Sequence, residues 1–138
     1  MDQNQSHPPI PPNRFTQAQT IGRRAEDLAY YFLNQSGYEL VARNYRCRGG
    51  EIDLVMRQND ILHFVEVKAR RSFRFGRPEE AVDGLKRRRL FRASKSFLYE
   101  HPSWKEKCGY FLFDVMEVDL VRRALHWIPD AFSMEGEE

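Results

Sequence analysis

Two stretches of the chain are apolar at nearly every position and yet carry charge: Glu51-Ile52-Asp53-Leu54-Val55-Met56 and Ile61-Leu62-His63-Phe64-Val65-Glu66-Val67-Lys68. The polar Gln58-Asn59-Asp60 between them reads as a tight turn, so the pair is predicted to form a β-hairpin. Strands that are apolar on both faces are central strands covered on both sides, which directs Asp53, Glu66 and Lys68 into a covered layer or a cleft. With Asn59-Asp60 as the two-residue loop, Arg57 faces Leu62, Val55 faces Phe64 and Asp53 faces Glu66. Two carboxylates about 5 Å apart, at an effective dielectric of about 20, repel by roughly 3 kcal/mol, so this register asks for a positive charge between them. A hard divalent cation such as Mg²⁺ takes carboxylate oxygens and would meet that need. Lys68 lies two residues beyond Glu66 on the same face. The alternative is an ordinary exposed ion pair between Glu66 and Lys68, in a chain that is 30% charged.

Upstream, Ala25, Leu28, Ala29, Phe32 and Leu33 recur at helical spacing, and Gly37 after Ser36 marks the helix end. On the helical wheel Glu26 falls beside Leu33 at the edge of the apolar stripe, whereas Asp27 points away. Glu26 can therefore face inward, or pair with Arg23 or Arg24 on the surface. A first strand is predicted over 38–44, and Gly49-Gly50 permits a sharp turn before Glu51. After the hairpin, Pro78-Glu79-Glu80 opens a helix over roughly 78–99, with Leu90, Ala93, Phe97 and Leu98 on its inner face. Lys86 falls on that same face, where it either snorkels past the core or reaches the carboxylates and a phosphate. Later strands over 110–118 and 125–128 complete an α-β-β-β-α-β order with one extra strand, an α/β fold.

A length of 138 residues with 41% hydrophobic content supports one core. The expected organisation is a Pro-rich arm over 1–13, a single domain over 14–132 and an acidic tail over 133–138. No stretch approaches the ~20 apolar residues of a membrane span and no leader pattern is present, so a cytoplasmic protein without membrane contact is expected. Cys47 and Cys108 are isolated, and His7, His63, His101 and His126 have no ligand spacing, which argues against zinc or a redox dithiol. Net charge is only +2, but residues 43–95 hold 15 Lys and Arg against 7 Asp and Glu. Arg46, Arg48, Arg70, Arg71, Arg74 and Arg77 are expected in loops flanking the hairpin, with Lys86, Arg87, Arg88 and Arg92 on the second helix. Such residues neutralise phosphates without reading bases, and nucleic acid is the partner they suit. By itself, the Lys86-Arg87-Arg88-Arg89 run reads first as a solvated helix face, and its position beside the carboxylate hairpin shifts the weight toward phosphate contact. Tyr45, Phe73 and Phe75 either stack on unpaired bases or fill the core.

The run Gly50-Glu51-Ile52-Asp53-Leu54, followed by Phe64-Val65-Glu66-Val67-Lys68, resembles the PD-(D/E)xK nucleases, and most closely the bacterial YraN-like family of restriction-endonuclease-like proteins; archaeal-type Holliday-junction resolvases share the arrangement. The likeness extends to Ile21-Gly22-Arg23-Arg24-Ala25-Glu26, Arg43-Asn44-Tyr45-Arg46, Phe75-Gly76-Arg77-Pro78-Glu79-Glu80-Ala81-Val82 and Phe113-Asp114-Val115. Ile52 stands where the superfamily's name has Pro, and Leu112 where Arg is expected. The resemblance implies a restriction-endonuclease-like core, a mixed central sheet flanked by helices. It implies Glu26, Asp53, Glu66 and Lys68 as catalytic residues, with Asp53, Glu66 and Glu26 directed to Mg²⁺ or Mn²⁺. The implied activity is hydrolysis of a phosphodiester in nucleic acid, DNA above all, and cleavage of a junction implies a homodimer because two strands must be cut. Two other classes fit the chain: a nucleic-acid-binding protein that keeps the nuclease fold without turnover in a repair or recombination complex, and an interaction domain acting through the Pro-rich arm.

Overall fold

The computed structural model describes residues 17–70 and 84–132. In chain order the elements are α1 (Gln17–Gln35), β1 (Glu39–Cys47), β2 (Gly50–Gln58), β3 (Ile61–Arg70), α2 (Gly84–Glu100), α3 (Ser103–Lys107), β4 (Tyr110–Asp119) and β5 (Ala124–Phe132). The strands form one sheet in the order β1-β2-β3-β4-β5. All neighbours are antiparallel except β3 and β4, which run parallel. A parallel pair cannot be joined by a hairpin, and the connection carrying α2 and α3 supplies the crossover. This is the α/β, mixed-sheet architecture that the sequence pattern and the resemblance predict.

The apolar runs of β2 and β3 are covered on both sides. On one face Ala25, Ala29 and Leu33 of α1, four residues apart, pack with Leu54, Met56, Val65, Met116 and Val118. On the other, Leu90, Ala93 and Phe97 of α2 pack with Ile52, Val55, Leu62, Phe64, Phe113 and Val115. Full burial of a Leu or Phe side chain stabilises by about 1.5–3 kcal/mol, so these two layers hold the hairpin rigidly between the helices. Helix α1 ends where the sequence indicates: Gly37 takes a left-handed backbone (φ 93°), and the Tyr38 amide donates back to the Leu33 carbonyl at 3.0 Å.

The hairpin register is the expected one over most of its length, with Arg57 opposite Leu62 and Val55 opposite Phe64. Strand β1 runs three residues further than expected, because Cys47 pairs with Gly50 and leaves a turn of only Arg48 and Gly49. Arg46 therefore belongs to a strand and not to a loop. The expected start of the second helix at Pro78 lies outside the described residues, as do Arg71, Phe73, Arg74, Phe75 and Arg77.

The Phe113-Asp114-Val115 segment is internal. Asp114 is fully buried and accepts hydrogen bonds from His63 Nδ1 (2.6 Å), Trp127 Nε1 (3.3 Å) and the Asp130 amide (2.8 Å). A buried carboxylate is tolerated only when paired and hydrogen-bonded, and here three donors from two strands meet that condition. His63, packed edge-on against Tyr38, is a core residue.

Candidate nuclease-like site

The β2–β3 ladder stops at Leu54 and Val65, one position short of Asp53 and Glu66. The Asp53 carboxylate instead accepts the Val67 amide hydrogen through Oδ2, at 2.8 Å. Side-chain alternation also breaks here. Leu54 packs in the α1 layer and Ile52 in the α2 layer, although residues two apart in a regular strand share a face. Asp53 thus sits at a local reversal of the strand, where its side chain replaces a main-chain acceptor. Burial first, and then the negative charge of Glu66, push its carboxyl from the ordinary 3.8 up to about 8, against the stabilising Val67 hydrogen bond.

Glu66 is buried beside Asp53, with its Oε2 3.0 Å from Lys86 Nζ and 3.5 Å from Lys68 Nζ. The two lysines are not equivalent. Lys68, only a fifth exposed, is lowered below its ordinary value by burial and by the neighbouring Lys86. Burial also pulls on Lys86, but its contacts with Lys68 and Glu66 raise it overall. Lys86 therefore carries the positive charge that answers Glu66, and Lys68 is the amine that more readily gives up its proton.

Glu26 reaches the same region from α1, and its charge is felt by Asp53. Its surroundings come from β1 more than from its own helix: Arg43 lies 3.9 Å away, and Asn44 lines the same small cleft. Its Oε1 is buried without a hydrogen-bond partner. Burial raises the Glu26 carboxyl, with Asn44 and Arg43 opposing. Among the described residues no group of three or more His, Cys, Asp or Glu is arranged to hold a metal ion. A pair of buried, mutually repelling carboxylates still fits a Mg²⁺-like ion, which keeps several waters and takes one or two carboxylates.

Two clefts flank Arg46. The larger, about 340 Å³, is lined by Glu66, Lys86 and Arg89 together with the Gly49-Gly50 turn. The smaller, about 190 Å³, is lined by Glu26, Asn44 and Arg23. Arg46 itself is three-quarters exposed and lies 3.5 Å from Glu51. The remaining basic candidates are dispersed. Arg48 and Arg88 are exposed, Arg87 stacks over the Phe132 ring at 5.8 Å, and Arg70 is tied to the fully buried Glu117 at 3.2 Å. Arg89 lines the larger cleft although the sequence reading did not single it out. The signal was present, since Arg89 is three residues beyond Lys86 and falls on the same helical face. Gly50 seats the helix: a Cβ there would lie 2.2 Å from the Arg89 carbonyl oxygen.

An Asp, a Glu and a Lys converge where a central hairpin opens, on a five-stranded mixed sheet flanked by helices, and this arrangement is consistent with a restriction-endonuclease-like core. Residues 25–128 match the family described as Uncharacterised protein family UPF0102. The UPF0102 protein of Ralstonia nicotianae is 42% identical over 134 residues, covering 94% of this chain and 99% of its own. That of Stutzerimonas stutzeri is 42% identical over 120 residues (85% and 98%), and that of Symbiobacterium thermophilum 46% over 99 residues (72% and 81%). The chain belongs to the UPF0102 family, the YraN-like group that its motifs resemble. Among the described residues no helix is long and apolar enough to cross a membrane.

Proposed function

We propose that the protein is a metal-dependent nuclease that hydrolyses phosphodiesters in nucleic acid, with branched or junction DNA as the substrate class to test first. The observation that carries this reading is the convergence of Asp53, Glu66 and Lys68 where the β2–β3 ladder ends. Buried carboxylates that repel each other weaken a fold unless a cation answers them. Asp53 and Glu66 would hold Mg²⁺ or Mn²⁺, which when bound supplies Lewis acidity toward a phosphodiester.

The chain's own residues divide the remaining work. Lys68, lowered by burial and by Lys86, is suited to orient a water and take its proton. Lys86, half exposed above Glu66, is suited to reach outward to a phosphate of the strand. Arg46 and Arg89 line the same cleft and supply cationic contacts to the strand backbone. Glu26, on the far side of Arg46, assists from the second cleft.

The test is cleavage of linear, flapped and four-way DNA with Mg²⁺ or Mn²⁺, comparing the wild type with Glu66→Ala purified identically. Metal-dependent cutting by the wild type, lost in the variant, is the expected result. If neither protein cuts but both bind with strong salt dependence, the protein is a nucleic-acid-binding module on a nuclease fold.

A further inference from the structure

Among the described residues, four that are not glycine take a left-handed backbone. Asn59 and Arg123 lie in turns, and Asp130 lies in the edge strand β5. Asn44 (φ 54°) lies within β1, the opposite edge strand, between the pairs Arg43–Leu54 and Tyr45–Ile52, which puts it level with Asp53 on the neighbouring strand. Both strands reverse faces at this level. Arg43 meets Glu26, Asp27 and the Tyr30 ring of α1, whereas Tyr45 meets Ser96, Phe97 and Glu100 of α2. Across the ladder, Leu54 belongs to the α1 layer and Ile52 to the α2 layer. A regular pair of strands would keep residues two apart on one face, so both strands reverse at Asn44 and Asp53, separately from the β1 bulge between Leu40 and Ala42.

We propose that Asn44 is a positioning residue for the carboxylate site: its left-handed backbone reverses β1 and β2 and so frees the Asp53 carboxylate for the Val67 amide, while its side chain borders the cleft that holds Glu26. Asn is one of the few residues other than Gly that adopts this backbone readily, and a β-branched residue resists it. Asn44 also lines the cleft that holds Glu26, a carboxylate whose Oε1 is buried without a hydrogen bond. One residue thereby links the two acidic positions that approach from β2 and from α1. The functional meaning of this link rests on the reading of Asp53 and Glu66 as cation ligands; its geometric content does not.

The experiment uses the full chain and four variants, Asn44→Val, Asn44→Ala, Asn44→Gly and Asp53→Ala. Hydrogen exchange of the Val67 amide is measured without metal, and Mn²⁺ affinity by titration calorimetry. The Val67 amide should exchange about tenfold faster or more in Asn44→Val, as in Asp53→Ala, because its hydrogen-bond acceptor is lost. Asn44→Gly, which keeps the backbone, should restore Val67 protection. If Asn44→Val does not fold, the same contrast is read between Asn44→Ala and Asn44→Gly. Protection of Val67 that is unchanged in both Asn44→Val and Asn44→Ala overturns the proposal, as does loss of protection in Asn44→Gly equal to that in Asn44→Ala. In the Mn²⁺ arm, weakened binding by Asn44→Ala with recovery in Asn44→Gly supports the positioning role. Absence of Mn²⁺ binding by the wild type, with the Val67 pattern intact, refutes the cation reading and upholds the geometric link.

Discussion

Replacing Asp53 by Asn should make the metal-free protein more stable while removing its response to metal. The Asp53 carboxyl is lifted from 3.8 to about 8 by burial and by Glu66. Between those values the folded chain holds a proton that the unfolded chain has lost, so the contribution of this group to stability is greatest below pH ~4 and declines as pH rises to about 8. At pH 7 the difference amounts to roughly 4 kcal/mol at about 1.4 kcal/mol per pH unit. Relaxation and water entry reduce such penalties, so a gain of about 2–4 kcal/mol is expected from Asp53→Asn, which keeps an oxygen for the Val67 amide. For a chain of this size that corresponds to a rise of roughly 6–15 °C in Tm. The assay is urea and thermal denaturation in EDTA across pH 5–8.5, repeated with Mn²⁺. Mn²⁺ at about a hundred times its Kd should stabilise the wild type by ~2.7 kcal/mol and leave the variant unmoved. An Asp53→Asn protein less stable than wild type at pH 7, or a wild type of constant stability between pH 5 and 8, would refute the reasoning.

Lys68→Met should lower cleavage by about 10²–10³ while fluorescence anisotropy shows DNA binding largely retained, since the amine acts on the reacting groups more than on the strand. Arg89→Ala should weaken binding equally across sequences and reduce the slope of log affinity against log salt by about 1, measured by titration between low and moderate salt. Gly50→Ala introduces a methyl into the Arg89 carbonyl and should cost about 1–3 kcal/mol in urea denaturation.

The hairpin was legible because alternation and a two-residue loop fix register, and the observed pairs Arg57–Leu62 and Val55–Phe64 follow from them. The step to Asp53 was not, because the reversal at Asn44 depends on one backbone dihedral that no hydrophobic pattern encodes. Position on a wheel was enough to bring Glu26 to the edge of the buried stripe, and its side chain is only 15% exposed. Its neighbours Arg43 and Asn44 come from the next strand, a contact between elements that helical spacing within α1 cannot reveal. The same limit explains Arg70: a basic residue beside an arginine-rich loop reads as a phosphate contact, but parallel pairing with β4 brings it to the buried Glu117.

The Gly50 backbone against the Arg89 carbonyl has a mechanical consequence. One wall of the larger cleft is the turn before Asp53 and the other is the helix bearing Lys86 and Arg89, and they touch main chain to main chain with no side chain between them to change rotamer. The gap between the walls is therefore a fixed dimension of the fold, resistant to closing on a guest. If the cleft takes nucleic acid, as proposed, the strand must do the bending itself, and selection then falls to its own pliability: a strand already kinked or unpaired is admitted at less cost than a stiff, straight duplex.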